Sequence, residues 1–303
     1  MKKETLQNIV YSPLYLWFKL HALLPLRVLY LLADLLYVPL YYVVRYRRKL
    51  VFENMRNSFP DKSEKELRRL EKQFYHHFCD YIVETIKLLH ISEREMRRRM
   101  IFEQAEIIDR LLAQNRSIIL LLGHFGNWEW ITSIPLWFHH PDTFLKQIYR
   151  PLDNKWFDRL FLKLRSRFGT SCIAKKDTLR TMLEMKRSGR PSVTGFMSDQ
   201  TPSPTNIHHW ARFLSQDTPV LTGFEKIARK GDFAVLYVDV EIVRRGYYKA
   251  TIREITSTPN ELPEFEITDR YTALMEKTIL RNPWAWLWTH KRWKYKHENF
   301  PES

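Results

Sequence analysis

The run Ile118–Leu122, five apolar residues between Arg116-Ser117 and Gly123, constrains the fold more than any other stretch of the chain. A short run without polar alternation reads as a strand buried on both faces. Further strands are expected at 143–149, 192–197, 233–240 and 247–255, the last two joined through Arg244-Arg245-Gly246 as a hairpin. Helical patterns fall between them near 154–167, 178–187, 218–230 and 264–281, with Gly189 and Gly231 as stops. Strands alternating with helices specify an α/β chain from about residue 115 onward, with a central mixed β-sheet flanked by helices.

Upstream of that run the pattern is helical. Ser63 with Glu64 and Glu66 makes an N-cap followed by acidic first-turn residues. Residues 63–113 are expected to be helical, with an apolar stripe through Phe74, Phe78, Tyr81, Ile82, Thr85, Ile86 and Leu89, and Cys79 in the core. Residues 9–44 are apolar and aromatic, but Lys19, Arg27, Asp34 and three prolines interrupt them. A clean span of about 20 apolar residues is therefore not encoded. Nor is a secretory signal, since no small-residue cleavage site follows. The cluster Arg45-Tyr46-Arg47-Arg48-Lys49 comes next. This order fits a segment dipping into a bilayer, with cations at the phosphate level, better than a buried helical hairpin. The expected organisation is a membrane-associating helical segment (1–50), a helical region (51–114) and an α/β core (115–303), with 50–303 as one folded unit.

Composition narrows the class. The chain has 303 residues, a formal net charge of +15 and 45% hydrophobic residues, which excludes a disordered polymer. Two cysteines are too few for a disulfide framework or a cysteine-based zinc site. The positive charge asks for a negative partner: anionic lipid, an acidic protein or nucleic acid. Nucleic acid is set aside, because no binding module is visible. The C-terminal Trp284, Trp286, Trp288 and Trp293, interleaved with Lys and Arg, read either as core packing or as an edge beside a bilayer.

The residues best placed for chemistry are Gly123-His124-Phe125-Gly126-Asn127-Trp128-Glu129, directly after the buried strand and before an apolar helix-like segment, 131–138. His124 would stand at the strand's carboxyl end, where α/β folds place ligands. Glu129, about one turn into that helix, could hold the imidazole tautomer and balance the imidazolium. By spacing alone, a surface histidine near a helix-start glutamate looks the same. Nucleophile elbows and phosphate-cradling glycine loops are missing from the sequence. The adjacent pairs His139-His140 and His208-His209 point apart on regular structure, so no metal is expected.

This stretch resembles the His-x4-Asp/Glu block of the lysophospholipid acyltransferase superfamily, and its wording is similar to that of the late (lauroyl- and myristoyl-transferring) acyltransferases of lipid A biosynthesis. Asn54-Met55-Arg56-Asn57-Ser58-Phe59-Pro60, Tyr149-Arg150-Pro151 with Asn154, Asp199-Gln200, and Pro283-x-Trp-x-Trp with His290 and Arg292-Trp293 resemble further blocks of that family, in order, over about residues 10–295. The resemblance implies a glycerol-3-phosphate acyltransferase-like fold. It also implies direct acyl transfer from a thioester, on acyl carrier protein or coenzyme A, to a hydroxyl of a lipid A precursor. The partners implied are membrane lipids, including an anionic, phosphorylated glycolipid acceptor, and the acidic carrier. The place implied is the cytoplasmic face of a cell inner membrane, with no cofactor beyond the co-substrate.

Residue by residue, the resemblance makes His124 the general base, oriented by Glu129. Arg150 would stabilise the oxyanion, bind a phosphate or form a structural ion pair. Asp199 would orient Arg150 or contact acceptor hydroxyls. Asn127, Trp128, Tyr149, Asn154 and Gln200 would bind substrate. The chain departs from the family after Asp199: Pro202-Ser203-Pro204-Thr205 stands there, and Trp210-Ala211-Arg212-Phe213-Leu214 keeps the family's aromatic strand but lacks its glycine. A helix is still expected to start at Asp217-Thr218-Pro219. Two alternatives stay open: acylation of another lipid, such as an amino-acid lipid, lysophospholipid or glycolipid, and a non-catalytic basic scaffold on the membrane surface.

Overall fold

The computed structural model describes residues 2–139 and 142–299; His140, half of one histidine pair, lies outside them. Five helices come first: α1 (Lys2–Leu23), α2 (Leu26–Val38, continued by a π-helical turn over Pro39–Val43), α3 (Arg48–Ser58), α4 (Glu64–Lys87) and α5 (Glu93–Arg99). Pro25 separates α1 from α2, because the residue before a proline is pushed out of helical geometry. At the head of α4, the Glu66 amide donates to the Ser63 hydroxyl and the Ser63 amide to the Glu66 carboxylate. Such caps are worth about 1 kcal/mol. At its other end the buried Lys87 donates to the carbonyls of Ala22 and Leu24 (2.8 and 2.9 Å), meeting the open C-terminal carbonyls of α1.

Helix α2 is apolar on both sides. Leu26, Leu29, Ala33 and Tyr37 face inward, where α2 lies against α4. Val28, Leu31, Leu35 and Val38 face outward, joined by Leu16, Trp17 and Leu20 of α1. The window Leu26–Val43 is long and apolar enough to cross a membrane, yet 28% of it is buried against the protein. The segment is therefore not a fully buried hairpin. Its basic cluster is only partly free: Arg47 donates to the Thr289 carbonyl (2.8 Å) and Arg48 pairs with buried Glu71 (2.9 Å), while Arg45 and Lys49 face outward.

The strands follow as β1 (Met100–Glu103), β2 (Ile118–Leu122), β3 (Phe144–Tyr149), β4 (Ser171–Ala174), β5 (Ser192–Met197), β6 (Trp210–Phe213), β7 (Gln216–Pro219), β8 (Ala234–Arg244) and β9 (Tyr247–Thr256). Among them lie α6 (Glu106–Ala113), α7 (Lys155–Arg165), α8 (Thr178–Arg187), α9 (Gly223–Gly231) and α10 (Glu266–Arg281). Seven strands form one sheet in the order β1-β9-β8-β2-β5-β3-β4. All neighbours are parallel except the β8–β9 hairpin, so the sheet is mixed, as expected. Gly246 turns that hairpin with φ +72°, and a side chain there would strike the Tyr30 hydroxyl.

Two local expectations fail. Residues 63–113 are not all helical: α4 stops at Lys87, and β1 pairs in parallel with β9, a long-range contact that no local pattern announces. Pro219 does not open a helix but ends β7, opposite Trp210 in a separate hairpin, where a missing ladder N–H is tolerated; α9 begins at Gly223. The apolar segment after Glu129 is helical as expected, in the form of a 3-10 helix, Trp130–Leu136, with Pro135 inside it.

Candidate active site

The register of two central strands builds the site. In the parallel pair β2–β5, Leu122 lies opposite Met197. Two residues beyond each strand end stand His124 and Asp199, so the register itself brings them together. His124 Nδ1 lies 2.7 Å from Asp199 Oδ1, and the His124 amide donates to Oδ2 at 2.8 Å. Trp286 Nε1 also donates to Oδ2, at 2.8 Å. Gly123 leaves room for this: a Cβ there would strike Met275 and crowd the Asp199 carboxylate.

Burial alone would push the Asp199 pKa up, but the His124 charge and the hydrogen bonds from His124 and Trp286 hold it at about 2. An ionised carboxylate only accepts, so Nδ1 carries a ring proton, and in the neutral form of the ring Nε2 keeps its lone pair. The Gln200 amide nitrogen lies 3.3 Å from Nε2 and donates to it. The Thr201 amide, next along, donates to His290 Nε2 at 3.3 Å, and burial lowers the His290 pKa to about 4.

Glu129 does not orient His124. Both its oxygens accept from Arg165, Nε at 2.9 Å and Nη2 at 2.6 Å. The reason is conformational: Gly126 sits at φ +61° and reverses the chain, so five residues onward is not one helical turn above His124. The Glu129 side chain is 3% exposed, and breaking such a buried pair costs about 3–5 kcal/mol.

The other expected residues divide clearly. Asn127 donates to Glu84 (2.7 Å) and accepts from the Trp130 amide (3.2 Å). Trp128 stacks on Tyr81 (4.0 Å between centroids) and meets the His124 ring edge-on (5.3 Å). Asn154 caps α7, accepting from the amides of Trp156 and Phe157, and donates to the Tyr11 hydroxyl. Tyr149 is half-buried at the end of β3. Arg150, just after it, is exposed and makes no hydrogen bond or ion pair among the described residues. It is not brought to Asp199.

Several supporting residues escaped the sequence reading. Glu84 is fully buried beneath the loop 123–129, where Tyr30 (2.7 Å), Asn127 (2.7 Å) and Tyr248 (2.8 Å) donate to it. Burial pushes its pKa up to about 7, against those three hydrogen bonds. His77 Nε2 donates to the Gly126 carbonyl at 3.3 Å; burial lowers its pKa to about 4, so it is neutral. Arg292 is buried and donates to the Pro219 carbonyl at 2.8 Å, while its Nε has no partner. The C-terminal tryptophans are core: Trp286 and Trp288 are buried, and only Lys291, Lys294 and Lys296 of their basic neighbours face outward. No local signal separates these residues from ordinary polar ones. Only the Arg292-Trp293 and Trp-x-Trp wording hinted at them.

Beside Trp128 a narrow, mostly apolar slot runs along the sheet between β2, β5, β3 and the 3-10 segment, with about 600 Å³ of empty space, part of it open to solvent. Among the described residues, no group of three His, Cys, Asp or Glu is arranged to hold a metal ion. His209 instead pairs with Asp269 at 2.7 Å.

Comparison with known proteins identifies a family. Residues 4–295 match the family described as bacterial lipid A biosynthesis acyltransferase. The chain is 26% identical over 258 residues to the lipid A biosynthesis lauroyltransferase of Escherichia coli (strain K12), covering 84% of this chain and 81% of that one. It is 22% identical over 250 residues to the lipid A biosynthesis palmitoleoyltransferase of the same organism, covering 82% and 79%. A lipid A biosynthesis acyltransferase of Shigella flexneri matches to the same extent. A family match across nearly the whole chain, whose fold carries a histidine at the end of a buried strand, places this protein in the bacterial lipid A biosynthesis acyltransferase family.

Proposed function

We propose that the protein moves a fatty acyl chain from an acyl carrier protein thioester to a hydroxyl of a lipid A precursor, at the cytoplasmic face of the inner membrane. The observation that carries this reading is the His124–Asp199 pair: a buried carboxylate on Nδ1, and a lone pair on Nε2 turned towards Gln200. In the first step Nε2 takes the proton of the acceptor hydroxyl as its oxygen bonds to the thioester carbonyl carbon. The oxyanion then collapses, the C–S bond breaks, and the imidazolium returns the proton to the leaving thiolate. Asp199 holds the tautomer and balances the imidazolium charge, as a buried aspartate does in a catalytic triad. No covalent acyl-enzyme is formed.

The other roles follow from position. Glu129 with Arg165 fixes the loop that carries His124. Gln200 aligns the acceptor hydroxyl. Arg150, exposed at a neighbouring strand end, binds a phosphate of the donor arm or of the lipid; Arg150→Ala then raises KM for one substrate and spares kcat. The outward apolar faces of α1 and α2 rest in the bilayer surface, with Arg45 and Lys49 at headgroup level.

The test is transfer itself. Membranes containing the protein, given labelled acyl carrier protein and coenzyme A thioesters with a panel of acceptors, should acylate a lipid A precursor, and His124→Ala should not. Full activity in purified His124→Ala sinks the mechanism. An unchanged lipid A acyl count in a deletion strain, with another lipid altered, would favour a different acceptor. The departure of residues 202–214 from the family pattern bears on that second reading.

A further inference from the structure

The slot beside the His124–Asp199 pair runs over one position that has no side chain. On the sheet face under the 3-10 segment Trp130–Leu136, the rungs align Val193 with Leu145, Gly195 with Leu120 and Gln147, and Met197 with Leu122. Gly195 is the one position on this patch that contributes no side chain. It lies inside a central strand, where a glycine weakens the sheet and marks a place where something approaches the backbone closely. A Cβ built there meets nothing nearer than 3.8 Å: Gln147 Cβ, Leu122 Cδ2 and the Lys146 carbonyl. The gap is room, not the relief of a clash.

One end of the slot lies beside the His124–Asp199 pair. Leu122 and Met197 line it and stand two residues before His124 and Asp199, and Trp128, edge-on to His124, forms its wall. Gly195 comes four residues before Asp199, roughly 13 Å back along an extended strand. Ile131 and Ile134 of the 3-10 segment close the opposite side. A narrow, mostly apolar slot whose Trp128 wall touches the His124 ring suits one occupant: the unbranched hydrocarbon chain of the donor, whose carbonyl must lie at His124.

We propose that this slot binds the donor's acyl chain and that Gly195 determines how long a chain it accepts. The inference rests on the acyl-transfer reading and adds the residue that sets chain-length specificity. A side chain at 195 would stand across the slot between Leu120 and Gln147 and block the methylenes beyond it. In a hydrophobic pocket, even one methylene changes selectivity by about tenfold or more.

Straight-chain thioesters of graded length, on acyl carrier protein and on coenzyme A, supply the test. Gly195→Leu is expected to shift the kcat/KM ratio towards shorter chains by at least about tenfold. Gly195→Ala, with only ordinary contacts at its Cβ, should shift it less in the same direction. Leu145→Ala, next to Val193 at the far end, should shift it towards longer chains. The Ala variants keep the test intact if thermal unfolding shows that Gly195→Leu does not fold. Variants that transfer acyl chains with the wild-type length profile overturn this inference and leave acyl transfer standing. No transfer by the unaltered chain from any thioester overturns both.

Discussion

Asp199 and Glu84 are both fully buried, both accept three hydrogen bonds, and both hold the loop 123–129, one at His124 and the other at Asn127. They titrate in opposite directions. Asp199 is held down at about 2, whereas Glu84 is pushed up to about 7. Depth and hydrogen-bond count are matched, so neither explains the difference. The neighbouring charge does. Asp199 faces an imidazole that can become cationic; Glu84 faces two phenols and an amide, with the Asp80 carboxylate adding repulsion. One carboxylate is held ionised against the His124 ring. The other is a neutral-leaning strut that ties α2, α4, β9 and the loop together.

The strongest way to break this comparison is at Asp199. Asp199→Asn keeps the shape but no longer enforces the Nδ1–H tautomer, and kcat is expected to fall by up to about 10⁴-fold. His124→Ala should fall by about 10²–10⁴-fold, and the double variant hardly further, because the two act as a unit. Steady-state transfer assays measure both; an Asp199→Asn enzyme within tenfold of wild type would remove Asp199 from the mechanism.

Next comes the ion pair that took Glu129 away from His124. Arg165→Met alone leaves a buried carboxylate unpaired and should cost about 3–5 kcal/mol in denaturant unfolding, whereas replacing both partners by apolar residues should cost less. A double variant as unstable as the single one would contradict the structural role given to Glu129.

The third effect concerns pH. Glu84 is raised, so its contribution to stability is full below the ordinary value of 4.5 and is lost as pH rises through about 7. Wild type should therefore lose stability relative to Glu84→Gln across that window, read as a difference in melting temperature. Asp199 works the other way: its contribution is full above 3.8 and is lost as pH falls through about 2. Curves for wild type and Glu84→Gln that stay parallel from pH 4.5 to 7 would erase the contrast between the two groups.

The smallest effect on the folded protein should come from a region that touches neither carboxylate. Leu31 and Leu35 are 64% and 69% exposed, so Leu31→Ser with Leu35→Ser should change unfolding by no more than about 0.5 kcal/mol per site. Binding to anionic vesicles should weaken by about a hundredfold or more, since each of the two leucines contributes about 1.5–3 kcal/mol when buried. Unchanged vesicle flotation would remove these helices as the membrane contact.

Much of the core was legible because its signals are local. The run Ile118–Leu122, the cap at Ser63 and the turn at Gly246 each depend on neighbours within a few residues, and each stands where the pattern placed it. β1, β4 and β7, the second strand of the β6–β7 hairpin, were missed. Two are four-residue edge strands and the third contains a proline, so periodicity had too little to work on. In the site, His124 and Asp199 were both singled out but not as partners. The buried polar face of α4, with Glu71, Asp80, Glu84 and Lys87, was invisible because charged side chains on a helix normally mark its solvent side.

The sequence by itself determined an α/β chain with a histidine at the end of a buried strand, two free cysteines, an excess of positive charge and an apolar N-terminal segment that meets a basic cluster. These follow from periodicity, glycine placement and composition, which act over short distances. Only the tertiary structure decided which acid serves His124. Glu129 is five residues away and Asp199 seventy-five, yet the parallel register of β2 and β5 places the distant one at 2.7 Å, and a glycine with positive φ turns the near one towards Arg165. Strand register is set by the whole sheet, so the partner of a base at a strand end cannot be read from spacing along the chain.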